Sequence, residues 1–120
     1  MSHIVQIQAK ISDPAAVAAA CRRLSLVEPV HGTVELFSSV ATGLLVQLHN
    51  WTYPVVIDTA TGMAQYDNFG GRWGDQHQLD KFIQMYAVEK AKLEARKRGH
   101  SVSEKMLQNG SILVQVQVGS

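Results

Sequence analysis

The sequence predicts an α+β fold, an antiparallel β-sheet with two α-helices packed on one face, and three patterns carry that prediction. Runs with period-2 alternation recur along the chain, beginning with Val5, Ile7, Ala9 and Ile11 against Gln6, Gln8 and Lys10. Only two segments show an apolar stripe at helical spacing, one near residue 20 and a longer one after residue 75. The strand-like runs between them are joined by short turns, which bring neighbours together antiparallel. The expected order is β-α-β-β-β-β-α-β-β, a sandwich of the ferredoxin-like kind.

Each element has its own signal. After the first strand, Ser12-Asp13-Pro14 marks a helix start, because Ser or Asp caps free N–H groups and Pro suits the first turn. Val17, Ala20, Cys21 and Leu24 then form one stripe, with Arg22 and Arg23 expected in solvent near the helix C-terminus. Pro29 and Gly32 punctuate a connection. Val34 and Leu36, then Leu44, Val46 and Leu48, read as a hairpin around residues 38–43, and the second strand is expected to continue through Trp51 and Tyr53. Pro54 donates no ladder hydrogen bond, so the next strand lies at an edge or begins there. The run 59–62, Thr-Ala-Thr-Gly, is a turn, and residues 63–66 return. Asp75 caps the second helix, with Gln78 as capping-box partner. Its stripe is Leu79, Phe82, Ile83, Tyr86 and Ala87, and its basic end, Lys90, Lys92, Arg96, Lys97 and Arg98, suits the negative helix pole, with Glu94 and Arg98 as an i, i+4 pair. A final hairpin turns at residues 108–111, Gln-Asn-Gly-Ser, before Ile112, Val114, Val116 and Val118.

At 120 residues the chain is one domain, residues 1–120, and its 46% hydrophobic content is enough to collapse without staples. No apolar run approaches the roughly 20 residues that span a bilayer, and the start lacks a signal-peptide pattern, so a cytoplasmic protein with no membrane partner is expected. A net charge of +1 gives no whole-molecule field toward nucleic acid. The single cysteine, Cys21, reads as a buried thiol. His3, His31, His49, His77 and His100 show no metal spacing, and no phosphate loop, nucleophile elbow or Cys-x-x-Cys is present. Neither catalytic residues nor a metal or cofactor are expected.

Chemistry is densest in residues 66–75, Tyr-Asp-Asn-Phe-Gly-Gly-Arg-Trp-Gly-Asp. The candidate ligand- or partner-binding residues are Tyr66, Asp67, Asn68, Arg72, Trp73 and His77, with Asp58 nearby. Trp and Arg dominate recognition surfaces, and a glycine loop leading into a helix N-terminus can favour an anion, which Arg72 would clasp. The alternative is a structural corner, in which Tyr66 and Trp73 cover the core, Asp67 and Asn68 form an Asx-type turn, and Asp75 occupies the cap.

The start Met1-Ser2-His3, the run 53–58, the loop 66–74, the stretch 86–99 and the turn Asn109-Gly110-Ser111-Ile112 together resemble the uncharacterised ycf thirty-five family, domain of unknown function twelve fifty-seven, of bacteria, phages and algal plastids. Family members commonly carry Asp at the position of Asn109, a change in turn chemistry alone. The resemblance spans nearly the whole chain and implies no reaction. Some members are encoded near AAA-type ATPases, which implies an accessory or adaptor role.

Three functions follow as expectations. The first is a non-catalytic interaction or assembly module, using the loop or a polar sheet face. The second is a nucleic-acid-associated protein using the basic helix end with Arg72 and Trp73. The third is a small enzyme or anion-binding protein with Asp67 or His77 as acid/base. The glutamines Gln6, Gln8, Gln115 and Gln117 are expected on the sheet face opposite the helices, where two copies could pair as a homodimer.

Overall fold

Short connections leave the middle of the chain little choice but to meander. The structure, a computed structural model, describes residues 10–37 and 39–118 in full and residues 5–8 through their backbone. Strands β2 (Val30–Glu35), β3 (Val40–Val46), β4 (Val55–Asp58) and β5 (Met63–Tyr66) form an antiparallel sheet in chain order. The Leu36 N–H donates to the Ser39 carbonyl at 2.7 Å to close the first turn. In the β4–β5 turn the Asp58 carboxylate accepts the Ala60 N–H at 3.0 Å, and Gly62 takes φ 78°, a conformation costly to other residues. Strand β1 (Val5–Gln8) adds beside β5, giving the order β1-β5-β4-β3-β2. The alternation expected of Val5, Ile7 and Ala9 and the Met1-Ser2-His3 start lie outside the described side chains.

Helix α1 (Pro14–Arg23) begins where Asp13 and Pro14 predict, with the Asp13 carboxylate accepting the Ala15 and Ala16 N–H groups. It buries Ala16, Val17, Ala20 and Cys21. Helix α2 (Gln76–Lys97) lies against it, and the Tyr86 hydroxyl accepts the Ser12 and Asp13 N–H groups, both at 3.1 Å. Both helices pack on the face carrying Val46, Ile57 and Ala64, and burial pushes the Cys21 thiol up to about 11. The opposite face holds a smaller cluster of Leu36, Ala41 and Val56, joined by Val34, Leu45 and Tyr53.

Several expectations change. The β3 strand stops at Val46, and Asn50 adopts φ 62°, so Trp51 and Tyr53 sit on a loop, with Trp51 buried in the helix-side core. On α2, Met85 and Val88 are buried and Ala87 is exposed. A single stripe underestimates this helix because it also carries the last hairpin. That hairpin, β6 (Ser101–Met106) and β7 (Ile112–Gln117), is a separate two-stranded sheet. The glutamines at 6 and 8 therefore share no sheet with those at 115 and 117, and the expected common amide face is not formed. At the start of α2 the Asp75 carboxylate accepts the His77 N–H at 3.0 Å, while Gln78 takes part through its backbone N–H.

Charge ties the hairpin to both helices. Arg23, expected in solvent, is bidentate on Glu104 of β6 and reaches Glu89 of α2 at 3.1 Å. Lys92 bridges the same two carboxylates, at 2.6 Å to Glu104 and 3.2 Å to Glu89. Glu94 pairs with Lys90 and Lys97, the expected Arg98 partner being displaced. Arg23, then Lys92, hold the Glu104 carboxyl down to about 2, against the ordinary 4.5.

Because that folded value is depressed, the stabilisation is complete above pH about 4.5 and is lost as pH falls toward about 2. The Glu104→Gln variant is expected to lose about 1 kcal/mol at neutral pH, a value reduced by solvent screening. Its stability difference from wild type should vanish across the acid window in urea titrations. A difference independent of pH would sink the assignment.

Candidate functional site

The loop from residue 66 to residue 75 is tied down residue by residue. Tyr66, Asp67 and Asn68 are all buried, at 6%, 0% and 6% exposure. Asp67 Oδ1 accepts the Phe69 N–H at 3.3 Å, an Asx turn, while Oδ2 has no hydrogen-bond partner. The Asn68 carbonyl accepts the Gly71 and Trp73 N–H groups, and its carboxamide donates to the Gly74 carbonyl at 3.4 Å and the Gln76 side chain at 3.3 Å. Phe69 and Gly70 take φ 47° and 58°, so the chain makes a tight left-handed step before Arg72.

Trp51 anchors this loop from outside it. Its indole N–H donates to the Asp75 carbonyl at 3.1 Å, and its ring meets Tyr66 edge-on at 5.8 Å. A Cβ on Gly74 would overlap the indole, so only glycine fits there. The next residue, Thr52, donates its N–H to the Trp73 carbonyl at 2.8 Å. The sequence placed Trp51 in a strand and missed this role. A Trp at the end of a strand run, followed by a loop with Trp-Gly-Asp, was the available signal.

Outward, Trp73 gathers aromatic rings from three segments. Phe69 lies 4.6 Å away, Phe37 of the β2–β3 turn 5.1 Å and Tyr53 of the β3–β4 loop 5.6 Å, centroid to centroid. Phe37 precedes β3 and Tyr53 follows it, so Trp73 connects segments from both ends of that strand. Phe37 is 56% exposed, and the exposed Arg72 guanidinium lies 5.2 Å from the Phe69 centroid, a cation–π contact. Phe37 and Tyr53 were not among the sequence candidates, because their convergence on Trp73 depends on strand pairing; Phe69 meets Trp73 within the loop itself.

The structure thus divides the six candidates. Tyr66, Asp67 and Asn68 are interior parts of the corner. Arg72 and Trp73 reach the surface cluster. His77 is exposed on the first turn of α2, apart from buried Asp67, and no hydrogen bond among the described residues links the two. Asp58 is occupied in its turn. The α2 N-terminus is capped by Asp75, which puts a carboxylate where an anion would sit. Of the basic helix end, Lys90 is paired with Asp13 and Glu94, Lys92 with Glu89 and Glu104, and Lys97 with Glu94. Among the described residues there is no cluster of metal-ligating side chains, and no helix is long and apolar enough to cross a membrane. In comparisons with known proteins, no family model, no curated protein and no solved structure matches the chain.

Substitutions at two positions test the corner. Gly74→Ala is expected to cost about 2 kcal/mol, since the new methyl must displace the indole, with a shift in Trp fluorescence as a second readout. Asp67→Asn keeps the Phe69 N–H acceptor, so it should be near neutral, whereas Asp67→Ala should cost about 1–2 kcal/mol. Denaturant midpoints check both. An Asn variant weaker than the Ala variant would show that the second carboxylate oxygen is needed for folding.

Proposed function

We propose that this chain is a small non-catalytic interaction or assembly module that receives a protein partner on the aromatic cluster around Trp73. One observation carries the reading. Rings from three separate segments, with a stacked guanidinium, meet at an accessible surface held on a rigid corner. Trp, Tyr and Arg in a preorganised patch are the composition of interface hot spots, and rigid aromatics contribute contact area at low entropic cost. Helices cover one sheet face, and Tyr53 of the aromatic cluster packs with the smaller apolar cluster of the other, which leaves the rings clear of the helices. The ycf thirty-five resemblance supports an accessory function and makes an AAA-type ATPase the partner class to test.

The nucleic-acid reading draws less support, because Arg23, Lys90, Lys92 and Lys97 are engaged with carboxylates, which leaves the exposed Arg96 and Arg98 as the basic residues of the helix end that make no ion pair among the described residues. An enzyme reading would need Asp67 and His77 to act together, and one is buried while the other is exposed.

Phe37→Ala combined with Arg72→Ala tests the surface without touching the corner. Both positions are exposed, so the thermal midpoint should move little, while capture of an AAA-type ATPase from native cells should fall at least about tenfold, equivalent to 1.4 kcal/mol. Equal capture by the wild type and the double variant overturns the assignment. Capture of nucleic acid instead, lost steeply with added salt, would favour the second reading.

A further inference from the structure

We infer that two copies of this chain pair through the open edge of β7, forming a twofold-symmetric dimer with a continuous four-stranded sheet β6-β7-β7-β6. The inference concerns a surface separate from the Trp73 cluster and stands independently of the function proposed above. Three observations lead to it.

The first is the main-chain pattern. The Leu107 N–H donates to the Ser111 carbonyl at 2.8 Å, closing the hairpin. Beyond it Met106 faces Ile112, Lys105 faces Leu113, Glu104 faces Val114, Ser103 faces Gln115 and Val102 faces Val116. Hydrogen-bonded and non-bonded pairs alternate in an antiparallel ladder, so Leu113, Gln115 and Gln117 point their peptide groups at β6. Ile112, Val114 and Val116 point theirs outward, and no strand pairs with that edge among the described residues.

The second is self-complementarity. An antiparallel pairing centred on Val114 sets Val114 against its own copy and Ile112 against Val116 of the other chain. All three outward donors and all three outward acceptors are then used. On the α2 side this pairing joins β-branched apolar residues, a favourable cross-strand combination, and on the other side it sets Leu113 against Gln115. No charged residue lies in β7, so no like charges meet across the axis. The other edges are less suited. β2 carries Gly32 and Glu35, β6 carries Glu104 and Lys105, and β1 has only four residues. Proteins ordinarily blunt an exposed edge with such charges, and β7 lacks them. A symmetric contact between identical edges also closes at two copies.

The third is where the exposed apolar surface lies. Of the nine large hydrophobic side chains exposed among the described residues, Met106, Leu107, Leu113, Val116 and Val118 belong to this hairpin and its flanks, with Val118 at 73% and Val116 at 43%. A two-stranded sheet is marginal alone, and joining two of them gives the strand number that independent sheets need.

Sedimentation equilibrium over low to high micromolar concentrations tests the pairing. The wild type is expected to be a dimer. Val114→Pro removes the central outward N–H without breaking a β6–β7 bond, and should weaken association at least about tenfold. The double variant Leu113→Glu, Gln115→Glu sets carboxylates opposite each other across the axis, while the first gains Lys105 as an intrachain neighbour. It should sediment as a monomer while keeping a cooperative thermal transition, and it decides the matter if proline disturbs the hairpin. A wild-type monomer throughout that range overturns the inference, as does a dimer that persists undiminished in the glutamate double variant.

Discussion

The side chain of Trp51 is the contact on which the rest of this architecture depends. Its ring sits in the helix-side core, its edge meets Tyr66 at the end of β5, and its N–H holds the Asp75 carbonyl at the start of α2. One residue thereby fixes the angle at which a 22-residue helix leaves the sheet. That angle sets where Tyr86 meets the α1 N-terminus and where Glu89 and Lys92 meet Arg23 and Glu104. The burial of a large aromatic contributes several kcal/mol, more than any single surface ion pair here. Apolar packing places the helix, and the charges then fasten the hairpin to it.

The same constraint shapes the candidate site. A glycine-rich loop left to itself would be mobile and would pay ordering entropy on binding. In this loop Asn68 gathers the chain through its carbonyl and its carboxamide, and Thr52 and Trp51 pin residues 73 and 75. Trp73 is therefore presented from a braced position. The glycines serve closeness and turn geometry, most plainly Gly74 against the indole. Corner and surface are complementary roles of one loop, with Tyr66, Asp67 and Asn68 inside and Arg72 and Trp73 outside.

Local signals made much of the fold legible. Asp13-Pro14 and Asp75 mark helix starts through cap chemistry that acts within three residues, and both appear where expected. The two-helix, antiparallel α+β class follows from the same short-range rules. What the sequence could not reveal depends on distant pairing. The Trp51 position was obscured because a buried loop tryptophan and a strand tryptophan look alike in a hydrophobic run. The hairpin was assigned to the main sheet because period-2 alternation says which face is apolar and nothing about what covers it. Arg23 looked solvated because its partner Glu104 lies 81 residues further on. Arg72 and Trp73 stand out in the sequence by residue type, whereas Phe37 and Tyr53 join them only through the register of β2, β3 and β4.

Much of the accessible apolar surface lies in two places, apart from Val27 and Val30 near the start of β2, and that arrangement bears on what the proposed assembly module can do. One part surrounds the rings gathered by Trp73, near Phe37; the other runs along the hairpin from Met106 to Val118. No residue of the aromatic cluster lies in the hairpin, so pairing through β7 would leave both clusters uncovered. A dimer of that form presents two identical aromatic patches at a fixed separation. Each patch alone is small, a few rings and one guanidinium, and would bind weakly. Two patches held together convert the second contact with a symmetric or multisubunit partner into an intramolecular one, which raises avidity without any new contact. Weak sites on a symmetric scaffold suit a ring-shaped or repeating partner better than a monomeric one, and the AAA-type ATPase class proposed above has that repeating character.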